Sequence, residues 1–187
     1  MKYFLGYYTG HNSAIYSSYV SNGPLSQLHA LADAACSPLI WDVRIAPKAL
    51  SISRLMSHTY GPHALSFPLT SSGAAHVRIV SEDFPWTIQI GPKSRAITVS
   101  DALLAIYDLL QKDLDEAVWA LSDEETRASI NRARRRRSET AEKCKNVDWL
   151  GRRYMFKGFY RDRNFSVRRL QPGAMDVAET FVVAFMK

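Results

Sequence analysis

The chain has 187 residues, 47% of them hydrophobic and 22% charged, which suits one globular domain with a substantial core and excludes a disordered chain. No apolar run approaches the roughly 18 residues of a membrane span, and Gly6 interrupts the early apolar run that a secretory signal would need. The net charge of +6 is unevenly distributed: residues 1–121 hold 8 Lys/Arg and 9 Asp/Glu, whereas residues 122–187 hold 16 and 9.

The positive excess therefore lies in the last third, where its field can steer an acidic partner. Cys36 and Cys144 form no CxxC pair and no disulfide framework, so two reduced thiols in a cytoplasmic or nuclear protein are expected.

Residues 1–23 carry Tyr3, Tyr7, Tyr8, Tyr16 and Tyr19 without a sustained period. They read as a tyrosine-rich arm, capable of docking on a partner or on a second copy, ahead of a single domain over 24–187. In "GPLSQLHALADAAC" the spacing of Leu25, Leu28, Leu31, Ala32 and Ala35 predicts a helix that Pro38 ends. "PLIWDVRI" then reads as a short strand, with Ile40 and Asp42 on one face and Trp41 and Val43 on the other.

Residues 46–72 are loop-like, punctuated by Pro47, Gly61, Pro62 and Pro68. That is long for a compact domain, and it leaves two options: a short helix at "ALSISRLMSHTY", or a binding loop or lid. "HVRIV" and "PWTIQI" alternate and predict a hairpin through "SEDFP". "ITVSDALLAIYDLLQ" predicts a helix capped at Ser100, with Asp101 in its first turn and Leu103, Ile106, Tyr107 and Leu110 as the buried stripe.

"DEAVWAL" predicts a short helix. A second long one begins at "SDEE", where Ser122 and Glu125 have capping-box spacing, and is expected to run to about Lys145. "NVDWLG" and "RYMFKGFY" read as a hairpin turning near Gly151, "FSVRRL" as a strand, and "AETFVVAFM", apolar on both faces, as a central strand. Runs of like elements, rather than strict alternation, predict an α+β fold: a mostly antiparallel sheet with two or three helices packed on one face.

The motifs "PLIWDVR", "PWTIQI" leading into "ITVSDALLAIYDLL", and "VDWLGRRYMFKGF" resemble the core of a fungal domain family of unknown function, found mainly in mushroom-forming basidiomycetes. The resemblance covers roughly Pro38 to Phe159. It implies a fungal origin and brings no activity with it. The hairpin-then-helix order also resembles the opening of a ubiquitin-like grasp, an analogy of fold alone.

The run "NRARRRRSET" suggests nucleic acid when read as a string. At about 100° per residue, however, Arg132, Arg135 and Arg136 face outward, while Arg134 and Arg137 share the side of Ile130 and Ala133. The outward patch is small, and Glu139 partly neutralises it through its i,i+4 and i,i+3 spacing from Arg135 and Arg136. Nucleic acid is accordingly an unfavoured partner. The inward pair needs a carboxylate or an anionic ligand, since an unpaired buried charge costs several kcal/mol; Asp42, Asp101, Asp108 and Asp148 are available.

"WDVR" and "DWLGRR" each join Trp, Asp and Arg, and they suggest a cluster of Asp42, Arg44, Asp148 and Arg153 beside two indoles. His58, His63 and His76 surround the loop without HExxH or HxH spacing, and there is no GxSxG, GxGxxG or GxxxxGK[ST]. No metal or cofactor is therefore expected.

Two readings of different class follow. The first is a binding module for a protein or a small anionic ligand, with Trp41, Arg44, Trp86, Tyr107, Arg134, Arg137, Trp149 and Arg153 as candidate contacts and self-association through the arm as an option. The second is a small metal-independent enzyme of specialised metabolism, with Asp42 or Asp148 as acid–base in a pocket lined by Trp41, Trp86, Tyr107 and Trp149. Nucleic-acid binding through the arginine helix is a third.

Overall fold

In the computed structural model, residues 26–36, 39–52, 61, 63–140, 142–169 and 179–187 are described. The strands are β1 (Leu39–Ile40), β2 (Ser51–Ile52), β3 (Val77–Ser81), β4 (Ile88–Ile90), β5 (Met155–Tyr160) and β6 (Thr180–Met186). The helices are α1 (Val99–Gln111), α2 (Glu116–Leu121), α3 (Glu124–Arg137) and α4 (Arg163–Arg168), with tight helical turns at Pro47–Ala49, Ala64–Ser66 and Asn146–Leu150.

β1 and β2 form a small antiparallel pair of their own. The main sheet has the order β4-β3-β6-β5. Its outer pairs, β3–β4 and β5–β6, are antiparallel, but the central pair β3–β6 is parallel. The fold is α+β, as expected, with a mixed sheet. The parallel pair follows from the chain between β4 and β6, which carries α1 to α4 and β5 before returning, long enough for a crossover.

Composition explains the strand order. β3 is buried at every position and β6 at all but Ala184 and Met186, so both belong in the middle. Register pairs Ile79 with Phe181 and Ser81 with Val183. Alternation then puts Val77, Ile79, Phe181, Val183 and Phe185 on one face, which joins Ala102, Leu103, Ile106 and Leu110 of α1 in one core. The hairpin β3–β4 leads into α1, which packs against β4, so the grasp-like opening is present.

The outer edge of β5 is covered by two earlier segments. The Val43 N–H donates to Tyr154 O (2.9 Å) and the Phe156 N–H to Trp41 O (2.9 Å). Further along, the Phe159 N–H donates to Ala32 O (2.7 Å) and the Ala34 N–H to Phe159 O (2.8 Å). An exposed edge of unpaired amides is thereby avoided. The close approach requires Gly158, whose φ is +135°: an added Cβ would lie 2.5 Å from the Ala34 backbone.

Several local expectations are corrected. Residues 26–36 form turns and isolated bridges instead of a helix. Leu31 and Ala32 are buried as their spacing suggested, but their neighbours' amides pair with the Leu69–Ser71 stretch and with β5. The alternation in 39–43 is right, with Trp41 and Val43 inside and Ile40 outside, although only Leu39–Ile40 forms a strand.

The cap of α1 is Thr98, not Ser100: the Thr98 hydroxyl accepts the Asp101 N–H, and Asp101 Oδ2 accepts the Thr98 N–H. Likewise α3 starts at Asp123 rather than Ser122, whose hydroxyl donates to Val118 O at the end of α2. Nor does α3 reach Lys145. It ends at Arg137 because Ser138 is extended and residues 144–146 turn back to hydrogen-bond Lys112 and Leu114.

"NVDWLG" is a helical turn that leads into one strand, not half of a hairpin. Within "FSVRRL", Phe165–Arg168 lie in α4 and Arg169 caps it, instead of forming a strand, because Asp162 accepts the Phe165 N–H and caps a helix there; Leu170 lies outside the described residues. Within 46–72 the described residues hold two short helical turns and β2; the rest of the proposed helix at "ALSISRLMSHTY" lies outside the described residues, as does the arm 1–23. No helix among the described residues is long and apolar enough to cross a membrane.

Candidate functional site

The last turn of α3 supplies the centre of the site. Ile130 and Ala133 are the buried positions of this otherwise polar helix, and their packing orients everything that follows. Arg137 falls on the same side, one turn beyond Ala133. Its guanidinium forks onto Asp148, with Nε–Oδ1 at 3.0 Å and Nη2–Oδ2 at 2.9 Å, and Nη2 also donates to Lys143 O.

Asp148 is 2% exposed and accepts the Lys145 N–H as well. Its hydrogen bond raises the Arg137 pKa against the opposing effect of burial. Of the four carboxylates considered from sequence, Asp148 is the partner.

A second fork stands nearby. Arg44 Nε and Nη2 donate to both oxygens of Asp42, and its guanidinium lies 3.7 Å above the Tyr154 ring. Burial alone would raise the Asp42 pKa, but the hydrogen bonds and charge of Arg44 outweigh it and leave the carboxyl below its ordinary range. Asp42 thus carries no proton to donate at neutral pH, and Asp148 has both oxygens committed to donors. Both carboxylates act as braces for arginines.

Arg44 and Arg137 line one depression of about 450 Å³ together with Arg136, Arg152, Tyr154 and Lys187; Ala133, Val147, Asp148 and Gly151 complete its wall. Arg136 is tethered by one bond, Nη2 to Gly151 O at 3.1 Å. Gly151 ends the turn over Asn146–Leu150 at φ +65°, a conformation that costs glycine little. Arg136, Arg152 and Lys187 are exposed. Five basic side chains from four separate segments therefore meet around one concavity, with Asp148 inside it and Asp42 behind Arg44.

The other expected contacts lie elsewhere. Arg153 pairs with Asp83 (2.6 Å), so the four-membered Asp/Arg cluster does not assemble. Trp41 is 2% exposed, packs against Phe156 and donates its indole N–H to Ile45 O. Trp86 and Trp149 meet edge to face at 5.6 Å, and Tyr107 packs on the core from α1. None of these four aromatics lines the depression.

Arg134 is half-buried and borders a neighbouring concavity instead. His63 is exposed, His76 Nε2 lies 3.1 Å from Gln89 Oε1, and His58 is outside the described residues. Sequence reading does not single out Arg152, Tyr154 or Lys187, and it places Arg136 only on the outward patch of the arginine helix. The doubled arginine of "GRR" was the only local signal for Arg152, and nothing local marked Lys187.

No curated protein and no solved structure matches the chain. Residues 39–166 match a family of unknown function, DUF6699. The matched stretch covers more than half of the chain and includes Arg44, Arg136, Arg137, Asp148, Arg152 and Tyr154, with Lys187 beyond it. The chain belongs to this family of unknown function, DUF6699.

Proposed function

We propose that the protein is a binding module that recognises an anionic ligand, either a small anion or an acidic group of a protein, at the depression between Arg44 and Arg136. The observation that supports this most directly is the convergence of five basic side chains on one concavity with one carboxylate inside it. Two of the five, Arg44 and Arg137, are held in place by Asp42 and Asp148, so their orientation is set before a ligand arrives. Arg136, Arg152 and Lys187, exposed and not braced by a carboxylate among the described residues, supply the uncompensated charge.

The same reading has the module working in the cytoplasm of a fungus. The unpaired thiols of Cys36 and Cys144 support a reducing compartment, and the resemblance of the strand and turn motifs supports the origin.

Titration calorimetry with inorganic pyrophosphate at low salt tests the reading. Charge-assisted hydrogen bonds contribute about 1.5–3 kcal/mol each, so Arg152→Glu combined with Lys187→Glu is expected to weaken binding at least about tenfold. Binding that is undiminished in the double variant, or no heat with the unaltered protein, overturns the reading.

A further inference from the structure

The basic surface does not end at Arg136. That residue also borders a second, wider depression of about 760 Å³, lined by Arg134, Arg135, Ser138 and Glu139. Together the two concavities hold seven basic side chains against two carboxylates, Asp148 and Glu139. The end of α3 does not need so much charge for its own sake. A helix C-terminus presents about half a negative charge, and four consecutive arginines, Arg134 to Arg137, stand in the last turn.

Adjoining depressions that share one guanidinium suit a ligand longer than a single phosphate, with anionic groups repeated along a chain. Nucleic acids and acidic peptides both have that pattern, and the aromatic groups distinguish them. Single strands are held by stacking of bases on open aromatic faces, about 1–3 kcal/mol per base. Tyr154 is the one aromatic residue in the two linings, and the Arg44 guanidinium already lies over its ring. Trp86 and Trp149 pack on each other, and Trp41 is in the core.

What the surface offers instead is a row of guanidiniums, planar donors that pair with carboxylates as well as with phosphates, beside the small apolar side chains of Ala133 and Val147. We infer that this face binds an extended acidic peptide segment of a partner protein, which runs from the first depression across Arg136 into the second. The inference rests on the anion-binding reading and adds to it the class of ligand and its span.

Fluorescence anisotropy at low salt, with the full chain, tests it. The probes are a labelled ten-residue glutamate-rich peptide, its glutamine counterpart, and a labelled oligouridylate of matched charge. Three variants divide the surface: Arg152→Glu with Lys187→Glu for the first depression, Arg135→Glu for the second, and Arg136→Glu for the shared rim. Circular dichroism confirms folding, and Arg135→Gln replaces Arg135→Glu should the latter disturb α3.

The acidic peptide is expected to lose at least about tenfold in affinity in Arg136→Glu, and about three- to tenfold in each of the others. Pyrophosphate should respond to the first-depression variant and not to Arg135→Glu. Peptide binding untouched at Arg135 confines the ligand to the first depression and overturns the inference, while the anion-binding reading stands. Tighter binding of the oligouridylate, or equal binding of the glutamine peptide, also overturns it. Loss of pyrophosphate binding as well removes the reading on which it rests.

Discussion

Arg137 and Asp148 close a two-point fork across the turn that follows α3, with Nε–Oδ1 at 3.0 Å and Nη2–Oδ2 at 2.9 Å. The carboxylate is 2% exposed, whereas the guanidinium side chain is 21% exposed. The pair therefore has an asymmetric cost. Replacing Arg137 by Met strands an anion with little access to water, and breaking a buried pair from one side costs about 3–5 kcal/mol. The residual exposure of Arg137 puts the expected loss at the lower end of that range. In a protein of this size 1 kcal/mol shifts the melting midpoint by about 2–4 °C. Urea titrations of Arg137→Met, Asp148→Asn and the double variant should show the double losing less than the sum of the singles. Strict additivity contradicts the pairing.

Asp101 gives the protein an acid-sensitive element. Burial alone would raise its pKa, but hydrogen bonds from Arg95, Lys93 and the Thr98 backbone and hydroxyl outweigh it and hold the carboxyl far below the usual carboxylate range. A depressed pKa contributes stability that is present above the unfolded value of about 3.9 and is lost as pH falls toward the folded one. Asp101→Ala is thus expected to cost about 1–2 kcal/mol at pH 7 through the lost capping box. The gap between the variant and the unaltered protein should narrow steadily once the pH drops below about 4. Urea midpoints at pH 7, 5 and 3 measure it; a gap that widens toward acid contradicts the assignment.

Thr98 and Ser100 offer a direct comparison of two hydroxyls at the start of α1. The Thr98 oxygen accepts the Asp101 N–H at 3.1 Å, and Ser100 is already the second residue of the helix. Thr98→Ala should lose about 1 kcal/mol. Ser100→Ala should stay within about 0.5 kcal/mol of the unaltered protein, as surface substitutions away from such features do. Chemical denaturation of both variants decides which residue is the cap.

The elements legible in the sequence were those whose pattern and tertiary role agree. α1 has a stripe of Leu103, Ile106 and Leu110 that packs as its period implies, and β6 is apolar on both faces because both are buried. The inward turn of Arg137 followed from helix geometry alone. Misread segments are those where a distant main chain competes. Leu28, Leu31 and Ala32 have helical spacing, yet His29 and Ala34 donate to Leu69 O and Phe159 O instead. Phe165 and Val167 alternate as in a strand, but the single side chain of Asp162 turns the segment into a helix. The site was only half visible for a related reason: Arg44, Arg136, Arg152 and Lys187 come together through the sheet, and no local spacing encodes that.

Gly158 is the point at which β5 and the segment at Asp33–Ala34 approach too closely for a side chain. An added Cβ would lie 2.5 Å from both the Ala34 nitrogen and its Cα and 2.9 Å from the Asp33 carbonyl carbon, and the backbone stands at φ +135°. These are main-chain atoms, so no side chain can swing aside to make room. Backbone strain of this kind costs about 1–3 kcal/mol, and the overlap must also push Ala34 outward. Gly158→Ala should therefore lose more than about 2 kcal/mol, well beyond the usual effect of an added methyl group on an open strand. Because the hydrogen bonds at Ala34 and Phe159 bridge the two segments, their amides should exchange with solvent much faster in the variant. The Phe156 amide, bonded to Trp41 O at the other end of the same edge, should keep more of its protection. Uniform acceleration along all of β5 would mean that the edge opens as one unit, and the cover supplied by the Asp33–Ala34 segment would then not be a separate element.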